Sequence, residues 1–116
     1  MKYVKDKNWL EKEGYSKKIF LDENDLGTKG ARVQEIKIKA GEVAKIHHHK
    51  IQTEIFYFLN KNGYFIVNGE KIKPKVGEIL VVEPNDKHEI VNNTKEDFLY
   101  LCFKINYSED DLYWDE

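Results

Sequence analysis

Apolar and polar side chains alternate along residues 32–39, with Ile36 and Ile38 on one face and Lys37 and Lys39 on the other. A period of two marks a strand with one buried face. Ala40-Gly41 ends it. A second strand is predicted over residues 43–49, and a third over 54–59, where Ile55, Phe56, Tyr57 and Phe58 supply strand-favouring branched and aromatic side chains. Residues 64–67 and 71–73 flank Asn68-Gly69. That dipeptide predicts a two-residue hairpin, because a type I′ turn needs positive φ at both central positions. Pro74 and Gly77 bracket the next turn, and strands over 78–83, 88–92 and 98–105 follow. Upstream, a short helical turn is expected around residues 7–13.

Short strands at regular spacing, with turn residues between them and no long helical period, predict an all-β sandwich or barrel. A length of 116 residues fits one domain with its own apolar core. The barrel is expected over residues 31–107, with residues 1–30 packing on it as a short helix or strands. Residues 108–116 form an acidic tail carrying Tyr113 and Trp114. Two aromatics leave two outcomes open, a disordered tail or one docked on the barrel or on a partner subunit.

Charge narrows the partners. Nineteen basic and 21 acidic residues give a net charge of −2, and the lysines are interspersed among the acids. This balance predicts no nucleic-acid partner. No run of 18 apolar residues predicts a membrane span, and the start of the chain has no apolar segment of signal length. The one cysteine, Cys102, lies in the apolar run 98–103 and reads as a small buried hydrophobe in a reducing compartment. A cytoplasmic location is expected.

The histidines carry the chemistry. Residues i and i+2 of a strand share a face, so His47 and His49 present two imidazoles side by side while His48 points away. Glu54 follows across a short connection, and His88 must be brought in by the fold. Three imidazoles and a carboxylate suit manganese, iron, cobalt, nickel, copper or zinc, and do not suit calcium or magnesium. An octahedral ion held by four such ligands keeps two positions open for substrate, water or dioxygen.

In order and spacing these residues resemble the cupins. Gly41, His47, His49 and Glu54 match the first cupin motif, except that Lys61 stands where a glycine is usual, with Gly63 two positions on; a changed loop is expected there. Gly77, Pro84, His88 and Asn92 match the second, with Glu83 in place of a proline and Asn85 in place of a glycine. Asn tolerates the left-handed region well enough to keep the turn.

The resemblance implies a double-stranded β-helix, or jelly roll, as a homodimer. It also implies one divalent transition metal on His47, His49, Glu54 and His88, with manganese or iron favoured. The leading function is then a metal-dependent oxidoreductase of the dioxygenase kind, acting on a small molecule. A sugar isomerase or decarboxylase, or a binding and sensing module without catalysis, is the alternative. Arg32 and Gln34 share parity with Ile36, and Phe56 shares parity with Glu54, so all three are expected to face the cavity as candidate substrate contacts, with an edge or interface role the alternative for Arg32 and Gln34 and core packing for Phe56. Lys45 is a further candidate to clamp an anion.

Overall fold

The computed structural model describes residues 1–115. Its elements are β1 (Leu10–Lys12), β2 (Tyr15–Leu21), α1 (Glu23–Leu26), β3 (Arg32–Ile38), β4 (Val43–His48) and β5 (Thr53–Phe58). They continue with β6 (Tyr64–Val67), β7 (Glu70–Ile72), β8 (Ile79–Val82), β9 (His88–Val91), β10 (Phe98–Ile105) and β11 (Tyr113–Trp114). The strands form two antiparallel sheets, ordered β1-β2-β3-β10-β5-β8 and β11-β4-β9-β6-β7. This is a jelly roll, with the apolar core between the sheets.

The alternation read from the sequence sorts the side chains of β5 and β10. Glu54, Phe56 and Phe58 turn inward and are buried, as are Phe98, Tyr100 and Cys102. Phe56, Phe58, Phe65, Phe98 and Tyr100 stack and cross edge to face, closing one end of the barrel. Burying one such ring contributes about 1.5–3 kcal/mol relative to leaving it in water. Gly63 has a packing role here, since a Cβ at that position meets the ring of Phe98.

The turns follow their chemistry. Asn68 and Gly69 have φ of 49° and 83°, as the hairpin between β6 and β7 requires. Asn85 takes φ of 74° in the turn before His88, so it serves where the family usually has glycine.

The helical turn expected around residues 7–13 is not formed. Leu10–Lys12 is a strand that pairs with β2, with Lys12 opposite Tyr15 across a turn at Gly14, whose φ is 82°. Seven residues are too few to pay for helix nucleation, whereas β2 offers a ready edge. The only helical turn among the described residues is α1, capped by Asp22, whose carboxylate accepts the N–H groups of Asn24 and Asp25.

Of the two outcomes open for the C-terminal segment, the docked one is found. Tyr113 pairs with His48 and Trp114 with His47, so β11 extends the second sheet along β4. The last residue of the expected tail, Glu116, lies outside the described residues.

Candidate metal centre

His47 and His88 are cross-strand partners on β4 and β9, and their ring centroids lie 4.2 Å apart. A register irregularity between Ala44 and His47 re-aims the end of β4. His49 follows just beyond that strand, and Glu54 reaches across from β5 in the facing sheet. The ligand nitrogens of His47, His49 and His88 all lie within 4.8 Å of one another. Glu54 Oε1 is 3.0 Å from His49 Nε2 and 3.3 Å from His88 Nε2.

Each ring is oriented from behind by a backbone carbonyl. His47 Nδ1 donates to Lys45 O at 2.7 Å, His49 Nδ1 to Asp111 O at 2.5 Å and His88 Nδ1 to Asp86 O at 3.0 Å. With Nδ1 carrying the proton, each Nε2 is left as a bare lone pair turned inward. Burial pushes the His47 pKa down to about 4, so this imidazole is neutral at pH 7.

Glu54 faces those lone pairs. Burial by itself raises its pKa, but the ammonium of Lys104 leads the opposing causes, and the carboxyl is held well below its ordinary value. Its Oε1 is buried and lies in no hydrogen bond. An ionised oxygen and two nitrogen lone pairs about 3 Å apart repel one another unless a cation lies among them. Donor atoms bound to one ion at ~2.0–2.1 Å and at right angles are ~3 Å apart, so the Glu54 edges fit a divalent transition metal.

The other oxygen of Glu54 has protein partners. Oε2 is 3.7 Å from Lys104 Nζ and accepts the Cys102 thiol at 3.5 Å. Burial, then the charge of Glu54, lifts the Cys102 pKa well above its ordinary value. That thiol is inert as a nucleophile.

The four residues sit in the wall of a cavity of about 310 Å³, room for about ten waters at ~30 Å³ each. Its other walls include Gln34, Ile36, Phe56, Tyr100 and Trp114. The site is therefore open to a small molecule.

The Cupin domain family model matches residues 34–104. This chain belongs to the cupin family. It is 26% identical over 110 residues to an uncharacterized protein of Methanocaldococcus jannaschii, which covers 94% of this chain and 88% of that one. It is also 26% identical to an oxalate-binding protein of Thermotoga maritima, over 73% of this chain and 70% of the relative. Among solved structures, the polyketide cyclase RemF of Streptomyces resistomycificus shares the fold, with a TM-score of 0.83 at 17% identity, covering 100% of this chain and 86% of that one.

The cupin barrel places the residues singled out in the sequence unevenly. Gln34 and Phe56 are buried in the cavity wall. Arg32 is not part of that wall: its guanidinium lies 3.9 Å from the centroid of the Tyr107 ring, which covers it. Lys45 is no anion clamp, because it points to solvent and pairs with Glu13 at 3.5 Å. His48 turns outward, its Nδ1 meeting Asp115 Oδ2 at 2.7 Å and its ring stacking on Tyr113. Asn92 latches the segment after β9, donating to Ile38 O and Glu96 O at 2.8 Å each.

Three residues escaped sequence reading. Lys104 and Lys17 both line the cavity. Lys104 shares parity with Cys102 and Tyr100, a signal present in the sequence. Asp111 has no such signal. Its carboxylate accepts the N–H groups of Lys50, Ile51 and Gln52 at 2.7–2.9 Å, fixing the loop that carries His49. Burial pushes the Asp111 carboxyl up, and the three N–H groups outweigh it and leave the pKa below its ordinary value.

Proposed function

We propose that this cupin is a metal-dependent enzyme of small-molecule metabolism, with one divalent ion held by His47, His49, Glu54 and His88. The observation that carries this reading is the cluster of His47, His49 and His88 nitrogens within 4.8 Å of one another, with a buried Glu54 oxygen that has no hydrogen-bond partner beside His49 and His88 on the cavity wall. Manganese or iron is the favoured ion, and an oxidoreductase is the narrower class. Such an ion supplies Lewis acidity and, when it cycles between oxidation states, electrons.

The chain's own groups set the surroundings. Phe56 and Tyr100 give the cavity an apolar wall that keeps water away from the reacting end of a substrate. Gln34 contacts substrate through its amide, and Lys104 keeps Glu54 ionised. Arg32 contributes charge from behind Tyr107 and touches substrate only if that ring moves.

A second reading, chemistry without electron transfer, draws on the cyclase RemF, which shares the fold. Binding without turnover draws on the oxalate-binding relative. Incubating manganese- or iron-loaded protein with a panel of small acids, in air and under nitrogen, separates the three. Turnover that needs dioxygen supports the oxidoreductase, and turnover under nitrogen supports the second reading. Saturable binding with no product makes the protein a binding module.

We also propose a homodimer, formed through the outer face of β10, β5 and β8. Phe103, Ile55 and Val81 lie side by side on that face, as do Leu101, Tyr57 and Ile79. Ile79 is 61% exposed and Val81 47%. Strands apolar on both faces are ordinarily covered on both, and β8 is the open edge of its sheet. The unpaired, buried Cys102 thiol supports a reducing, cytoplasmic setting.

A further inference from the structure

Two lysines in the wall beside the histidines have hydrogen-bond donors to spare. Lys17 on β2 lines the cavity, half-buried, and makes no ion pair or side-chain hydrogen bond among the described residues. Lys104 on β10 has an 11% exposed side chain, and its one carboxylate contact is Glu54 Oε2 at 3.7 Å, too long for a hydrogen bond. An ammonium carries three donors, so both lysines have donors to spare. Between them in the sheet lies Gln34, 3% exposed, whose amide oxygen is buried with no hydrogen-bond partner. Arg32 stands next to Lys104 in register.

Of the charged groups lining the cavity, Lys17 and Lys104 lie inward with the buried carboxylates of Glu54 and Asp111, while Lys12, Glu13 and Glu109 lie at its exposed rim. Asp111 is already engaged by three backbone N–H groups and Glu54 is turned toward the histidines, so neither takes up the lysines' spare donors. A divalent ion on the histidines adds positive charge beside them. Burying like charges together is unfavourable, and the favourable way to relieve it is an anion in the cavity. The strain registers on Lys17, whose pKa falls to about 8 through burial first and then through Lys104, Arg32 and Lys12.

We propose that the cavity takes small organic acids, holding a carboxylate of the ligand between Lys17 and Lys104 beside the Gln34 amide while the rest of the molecule extends toward the histidines. The inference deepens the small-molecule reading above and rests on it for what happens at the far end of the ligand. Lys17 and Lys104 are selectivity residues in this account. They decide acid against neutral compound, and the histidines decide the chemistry.

The test uses zinc-loaded, isotope-labelled full-length protein, with metal content measured separately. Amide chemical shifts are followed while lactate, succinate, their neutral amides and inorganic sulfate are added. The acids are expected to bind at least tenfold more tightly than their amides, with shifts at residues 17, 34 and 104. Lys17→Met is expected to lose that preference and Lys17→Arg to keep it, with zinc content unchanged in both and folding verified by the same spectra. Equal binding of acids and amides, sulfate binding more tightly than every carboxylate, or a Lys17→Met variant that binds acids as before overturns the proposal. Protein that takes up no zinc yet shows Lys17-dependent acid binding supports the anion subsite and removes the metal reading instead.

Discussion

His49 Nδ1 lies 2.5 Å from the carbonyl oxygen of Asp111, 62 residues further along the chain. The carboxylate of the same Asp111 caps the three N–H groups that follow His49. One residue of the docked C-terminal segment therefore sets both the tautomer of the His49 imidazole and the loop that carries it. The segment is part of the candidate site.

Replacing Asp111 is expected to weaken the site without touching a ligand. Asp111→Ala leaves three N–H groups unpaired at a cost of about 1–3 kcal/mol of stability and loosens divalent-metal affinity by about tenfold to a hundredfold. Asp111→Asn keeps an acceptor oxygen and loses less. Because the folded pKa lies below the ordinary value, the carboxylate's contribution is present above the unfolded pKa and is lost as pH falls through the folded one. Metal titration and denaturant unfolding at several pH values check both points, and a variant that unfolds earlier yet binds metal as the parent does removes Asp111 from the centre.

His88→Ala and His48→Ala are expected to part company. His88 is 1% exposed and turns Nε2 toward Glu54, whereas His48 faces Asp115 and Tyr113. The first substitution abolishes stoichiometric metal binding and turnover, and the second leaves metal content within experimental error. Equal losses from both contradict the ligand set.

Gly63→Ala tests the packing at the closed end of the barrel. The added methyl meets the Phe98 ring, so destabilisation of about 1–3 kcal/mol is expected, with little change in metal affinity. A denaturant midpoint that does not move shows that Phe98 has room to yield.

Acid binding is expected to depend on pH through Lys17. This lysine is protonated below a pKa of about 8 and faces Lys104, Arg32, Lys12 and the Cys102 thiol. A bound carboxylate favours the charged form, so affinity is greatest below that value and falls as pH rises from 7 to 9. Calorimetry across this range should give a slope in the parent protein and a flatter profile in Lys17→Arg. A flat parent profile counts against Lys17 as the anion's partner.

Much of this was legible in the sequence because it was local. Period-two alternation located the strand that begins at Arg32, strand-favouring residues between turn signals located the others as far as Ile105, and Asn68-Gly69 announced its hairpin. The i, i+2 spacing of His47 and His49 put two imidazoles together on physical grounds, and His88 joined them only through the family resemblance. Residues 10–12 went unread as a strand because their pairing depends on β2, a non-local partner. Lys104 was hidden by its residue type, since a lysine at an inward position is usually read as a solvated exception. Asp111 was hidden by distance, because Tyr113 and Trp114 beside it suggest that the tail can dock but not that it docks along β4.

The enzyme reading requires one metal ion held by His47, His49, Glu54 and His88. Elemental analysis of untagged protein, purified without added metal and melted before and after chelation, tests it most directly. One manganese, iron or similar ion per chain is expected, with a melting temperature that falls on removal and recovers on reloading, because an ion that binds only the folded state stabilises it. Protein without metal, whose melt is unchanged by chelator and by every added divalent ion, contradicts the account.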